Sequence, residues 1–89
     1  GLADTHLELS RYDEATTAYQ DALAIYRTIG DRLGQANVTQ GLAHTHHMLN
    51  RYDEATTGFR TARDLYAEIG ISQWAEICQQ ILDALNGDV

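Results

Sequence analysis

The chain has no proline and no lysine, and only one each of cysteine, methionine, tryptophan and phenylalanine among 89 residues. Without proline, nothing obstructs long helices, because proline is the residue that breaks a helix interior most severely. Without lysine, all six basic residues are arginine, and thirteen acidic residues leave a net charge of −7. Such a chain lacks the clustered cations that phosphate neutralisation needs, which opposes non-specific nucleic-acid binding through this segment. The lone Cys78 forms no internal disulfide, so nothing requires an oxidising compartment. No apolar run approaches the roughly 18 residues of a membrane span, and no charged-then-apolar leader opens the chain. A cytoplasmic location without membrane contact is the expectation. Also missing are a Gly-rich phosphate loop, a G-x-S-x-G turn and a His-Glu-x-x-His helix, so neither catalysis nor a cofactor is expected.

What is present is a repeat. Arg11-Tyr12-Asp13-Glu14-Ala15-Thr16-Thr17 returns unchanged as Arg51-Tyr52-Asp53-Glu54-Ala55-Thr56-Thr57. Residues 1–40 lie over 41–80 without a gap, and 18 of the 40 positions are identical by direct count. A period in this range marks an architecture of stacked supersecondary units, which favours an extended binding surface over an enzyme pocket. The first unit is 1–40. The second is 41–80 and runs into a C-terminal helix at about 72–85, the whole reading as one repeat domain over 1–89. Because the chain opens inside a repeat and without methionine, it is expected to be an excerpt of a longer protein.

Apolar residues recur at three- and four-residue steps, the helical period. Ala15, Tyr19, Ala22, Leu23 and Tyr26 share one stripe of a helix from about Tyr12 to Ile29. Ala55, Phe59, Ala62, Leu65, Tyr66 and Ile69 repeat that stripe. Gly30 and Gly70 follow the last apolar residue of each, where a left-handed C-cap is easiest for glycine. Between them lies a helix from roughly Arg32 to Leu49, with Asp31 as its N-cap. Turns are expected at Asn50 and, in the first copy, at Ser10, so residues 1–9 read as the second half of a further helix. Ser72 is placed to cap a last helix from about Gln73 to Leu85. The expected fold is all-α: five antiparallel helices in an αα-hairpin array. Gly41, inside a helix, has either a packing reason or only shared ancestry with Gly1.

Leu42-Ala43-x-x-His46, Leu49-x-x-Tyr52-x-x-Ala55, Phe59 and Ala62 resemble a tetratricopeptide repeat. The first copy fits the same frame through Leu2, Ala3, His6, Leu9, Tyr12, Ala15, Tyr19 and Ala22. The period exceeds the usual length of about 34 residues and is similar to the long-helix variety of scaffold proteins and bacterial regulators. The phrase Tyr26-Arg27-x-Ile29-Gly30-Asp31-Arg32-x-Gly34-x-Ala36 resembles actinobacterial regulators in particular. Two departures, Ala3 and Ala43 for the usual glycine and His6 and His46 for the usual aromatic, keep a small-then-planar pairing.

The resemblance implies that the first helix of each pair lines a concave groove. Its outward positions are then Asp4, Leu7 and Glu8, followed by Asn37, Gln40, His44, His47 and Met48, with Gln80 and Ala84 on the last helix. A protein or peptide partner, or a neighbouring domain of the parent chain, is the expected ligand; the other reading of these residues is a solvated face. His44 and His47 stand three apart on one helix, a spacing that can share an ion, but no third ligand is evident and no metal is expected. His6, His46 and Cys78 belong to apolar packing. Asp13-Glu14 and Asp53-Glu54 read as helix starters facing the positive dipole end rather than as an acid/base pair. Trp74 is expected in the core unless the chain end leaves it uncovered. The alternative function is homo-oligomerisation, a homodimer or larger assembly formed by repeats stacking between chains.

Overall fold

A computed structural model of the chain describes the backbone of residues 2–87 and the side chains of residues 7–87. Among the described residues it is all-helical: α1 (Leu2–Ile29), α2 (Arg32–Met48), α3 (Tyr52–Glu68) and α4 (Ser72–Asn86). Each helix packs on the next, α1 on α2, α2 on α3 and α3 on α4. The hairpin array is therefore as expected, but with four helices rather than five.

The three connections share one physical device. Gly30, Asn50 and Gly70 adopt positive φ of 75°, 62° and 81°. At each, the following residue's N–H reaches back to the carbonyl five residues earlier: Asp31 to Tyr26 O at 2.9 Å, Arg51 to His46 O at 2.8 Å, Ile71 to Tyr66 O at 2.9 Å. These are Schellman caps, which satisfy carbonyls that a helix end leaves without partners. Asparagine tolerates the left-handed conformation, and here Tyr52 Oη donates to Asn50 Oδ1 at 2.8 Å, which ties the turn to the first residue of α3.

The caps fall every twenty residues, and Ser10 stands where the fourth belongs. There the expectation fails: α1 runs straight through Ser10 and joins what were read as two helices. Serine bears a Cβ that penalises positive φ and lacks asparagine's enrichment there. The register of α1 on α2 carries the consequence. A Cβ on Gly34 would sit in the Tyr26 ring, and one on Gly41 would lie 2.7 Å from Tyr19 Cζ. The two helices are antiparallel, so Tyr12 falls opposite the end of α2, and residues 2–9 extend past it. Asp13 and Glu14 consequently lie in mid-helix, whereas Asp53 and Glu54 occupy the first turn of α3 as expected. Gly41 is thereby explained by close helix approach.

Two apolar clusters hold the array. Ala36, Ala62, Tyr66 and Cys78 form one, with Leu65, Ile69, Ile71 and Ala75 against it. Ala43, Ala55, Phe59 and Leu82 form the other, with Ile81 and Leu85. Both join α2, α3 and α4. Asp31 caps α2 as expected, its Oδ1 accepting from Gly34 N at 2.8 Å. Ser72 does not cap α4; Ile71 holds that position with no side-chain bond, and Ser72 is the first helical residue.

Candidate functional site

Because α2 and α4 both pack on α3, their facing sides form the walls of a trough with α3 as its floor. His44 and His47 from α2, Phe59 from α3, and Ile81, Ala84 and Leu85 from α4 line a depression of about 410 Å³. Helical spacing makes this possible: His44 and His47 are one turn apart, as are Ile81 and Leu85, so each pair projects to one side. The His44 ring stands edge-on to Phe59, with centroids 4.9 Å apart and planes at 87°. His47 stands edge-on to Tyr52 at 5.4 Å. Such pairings orient the imidazoles against aromatic neighbours.

Further along the same floor, Tyr66 Oη donates to Asn37 Oδ1 at 2.5 Å, and Gln40 Oε1 lies 2.9 Å from the same hydroxyl. Burial raises the Tyr66 phenol above its usual pKa, and the neighbouring Cys78 thiolate would raise it further. The phenol thus remains a neutral donor. Trp74 of α4 stacks over Tyr66 with centroids 6.1 Å apart and planes at 28°, yet 45% of its surface is exposed. Trp74 is accordingly a lip of the trough rather than a core residue.

The expected groove residues divide into three groups. Asn37, Gln40, His44 and His47 flank the trough, and Met48 is 56% exposed at the end of α2. Gln80 is exposed on α4 but lies outside the trough lining, whereas Ala84 belongs to it. Leu7 and Glu8 are exposed on the part of α1 that extends past α2, so the straight helix removes them from the groove edge. Asp4 lies outside the described side chains, as does His6.

His46 faces the packing as expected, 8% exposed, with Nδ1 3.3 Å from Glu54 Oε2. Cys78 is fully buried, and burial pushes its thiol above the usual pKa despite the nearby Arg63, which fits an inert core position. Among the described residues no three of His, Cys, Asp and Glu converge as metal ligands. No described helix is long and apolar enough to cross a membrane.

Antiparallel helix pairs at a fixed period, closed by identical caps and opening a trough between alternate helices, are matched by a family model. Tetratricopeptide repeat covers residues 1–68, well over half of the chain. The chain belongs to the tetratricopeptide-repeat family. The match ends at the last residue of α3, and α4 continues the array beyond it. No curated protein and no solved structure matches the chain. Tetratricopeptide repeats are generally non-catalytic protein-interaction modules.

Reasoning from sequence missed two lining residues of this tetratricopeptide array, Ile81 and Leu85, whereas Phe59 and Tyr66, each 1% exposed, are core residues as expected. Both sat on the apolar stripe of α4 and so read as core. The available signal was α4 itself, whose apolar stripe of Trp74, Ile77, Cys78, Ile81, Leu82 and Leu85 is wider than one neighbouring helix covers.

Proposed function

We propose that this chain is a protein-interaction module that takes an apolar side chain of a peptide or protein segment into the trough between α2 and α4. The observation that carries the reading is the lining: Phe59, Ile81, Ala84 and Leu85 form an apolar floor and wall, with two imidazoles on the facing side. A site of mostly apolar lining with a few placed polar groups suits an apolar anchor whose backbone is held at the rim. Asn37 and Gln40 are engaged with Tyr66, so His44, His47 and the exposed Gln80 are the polar groups free to meet the ligand's backbone. A place inside a larger bacterial regulatory or scaffold protein of the cytoplasm rests on the resemblance of the Tyr26–Ala36 phrase alone.

The test is selection of binders from a displayed library of random peptides, followed by affinity measurement against two substituted chains. His44→Ala and Leu85→Asp are each expected to weaken selected peptides by about tenfold or more, the scale of losing one anchoring contact. Circular dichroism should show unchanged helicity. Peptides that bind both substituted chains as well as the parent would remove the trough from the interaction.

Self-association by repeat stacking is the second reading. Ile25, Ile29 and Leu33 favour it, being 61%, 66% and 45% exposed around the α1–α2 turn.

A further inference from the structure

A second cleft lies between α2 and α3, and its chemistry differs from that of the trough. It holds about 390 Å³, at the small end of the range for ligand pockets. Leu42, Ala43 and Gly58 make its apolar part, and Asp53 and Glu54 stand on its edge. His46 opens onto it from α2. That side chain is only 10% exposed, yet its Nδ1 has no hydrogen-bond partner among the described residues. Glu54 Oε2 stands 3.3 Å away, but no hydrogen bond joins the two. Buried polar atoms are paired as a rule, and one left alone costs free energy. Asp53 and Glu54 have a structural reason, since carboxylates in the first turn of a helix meet the positive end of its dipole. Packing gives none for the nitrogen, because a phenyl ring would fill the same space without a polar atom.

We propose that this cleft receives the side chain of an arginine presented by a protein partner. The polar groups at its opening are acceptors: two carboxylates, and an imidazole nitrogen that accepts when it carries no proton. A guanidinium complements them, having five N–H donors and no acceptor. Glu54 Oε2 and His46 Nδ1 are close enough for neighbouring N–H groups of one guanidinium to serve both. The apolar part of the cleft suits the methylene stem, which arginine buries while its head stays among polar groups. An ammonium offers its donors at one point and matches two separate acceptors less well than a planar fork does. Apart from His46, no basic side chain lines the cleft, and the chain carries a net charge of −7, so the electrostatics also favour a cation.

The cleft and the trough have no lining residue in common. Thr57 borders the first and Phe59 the second, and two residues are roughly 200° apart around a helix, so the two open on different sides of α3. A partner that fills one leaves the other free. This proposal and the groove reading therefore stand or fall separately.

The test is a magnetic-resonance titration of the isotope-labelled chain with a capped peptide of one arginine flanked by glycines. Saturable shifts are expected at the His46 ring and at the backbone of Leu42, Ala43, Glu54 and Gly58. The same peptide with citrulline, the uncharged isostere of arginine, should bind about tenfold more weakly or worse, the scale of losing hydrogen bonds to a charged group. No saturable shift at millimolar peptide, equal binding of the citrulline peptide, or shifts centred away from the cleft would each overturn the proposal. Glu54→Gln is expected to weaken the arginine peptide about fivefold, whereas Glu14→Gln, the same change of charge on α1, should leave it unaltered. Equal losses from both would reduce the attraction to overall acidity and overturn the site. His46→Phe keeps a ring in the packing and removes Nδ1. It should also weaken the peptide about fivefold, with a melting temperature unchanged or raised because an unpaired buried polar atom has gone. A His46→Phe chain that melts and binds as the parent does would overturn the role of the imidazole.

Discussion

Ala55, Phe59, Ala62 and Tyr66 are sealed at 0%, 1%, 0% and 1% exposure, whereas Ala15, Tyr19, Ala22 and Tyr26, forty positions earlier, are only half-buried. The stripes are close to identical in chemistry, so composition does not account for the difference. The second stripe lies between α2 and α4 and is covered from both sides. The first meets α2 alone, because residues 2–9 continue α1 past the end of α2 instead of folding back. In an array, the burial of a unit is decided by its neighbours, and a single unit cannot seal its own core.

The largest test of that contrast is a pair of truncations. Phe59→Ala removes a fully enclosed ring and is expected to cost about 3–5 kcal/mol in denaturant melts. Tyr19→Ala, at the matching position, should cost about half as much, since part of its transfer free energy was never gained. Equal losses would mean that the first stripe is as enclosed as the second.

Next in size is the turn. Asn50→Ser gives the second copy the residue of the first and is expected to cost about 1–2 kcal/mol through the left-handed penalty. It also removes the acceptor of the Tyr52 hydroxyl. Asn50→Gly should be tolerated, because glycine occupies positive φ without strain. Loss of stability with glycine as large as that with serine would place the effect in the hydrogen bond rather than the backbone.

A milder effect concerns pH. Tyr66 and Cys78 both have acid groups raised by burial above ordinary values of 10.0 and 9.0. The folded state therefore holds protons that the unfolded chain has released, and stability falls as pH rises. It should be intact below about 9 and decline progressively above that as the unfolded chain's thiol and then its phenol ionise. The first copy carries Val38 where the second has Cys78, so Cys78→Val should move the onset of that decline toward 10. An onset that does not move would exclude the thiol as its origin.

The smallest expected change is at the ion pair between Arg32 and Glu68, 2.7 Å apart with both side chains more than half exposed. Glu68→Gln should alter stability by no more than about 0.5 kcal/mol, since water screens such pairs. A larger loss would show that this bridge, which the first copy lacks, contributes to the tighter packing of the second.

Much of the architecture was legible in the residues. The forty-residue period, the helical stripes and the glycines after Ile29 and Ile69 specified the hairpins and two of their three caps. His46 and Cys78 belonged to the packing by their stripe positions, and Asp31 was recognisable as a cap. Half of the candidate groove was legible too, because Asn37, His44 and His47 project from the side of α2 opposite its glycines. The wall on α4 was not, since Ile81 and Leu85 look the same on a stripe whether the next helix covers them fully or stops short.

Period, helical content and cap chemistry are local properties: they depend on residues within a turn or two, so the sequence by itself determined them. The fate of Ser10 is different in kind. A serine there can end a helix or continue it, and the balance depends on whether a covering helix can settle beyond the turn, as Ala43 settles 2.8 Å from where a Cβ on Gly58 would stand. That contact joins residues far apart along the chain at a clearance of a single methyl group. Only the tertiary structure decided it, because steric fit between two helices exists only once their separation is set. The same separation decided which apolar residues became floor and which became wall.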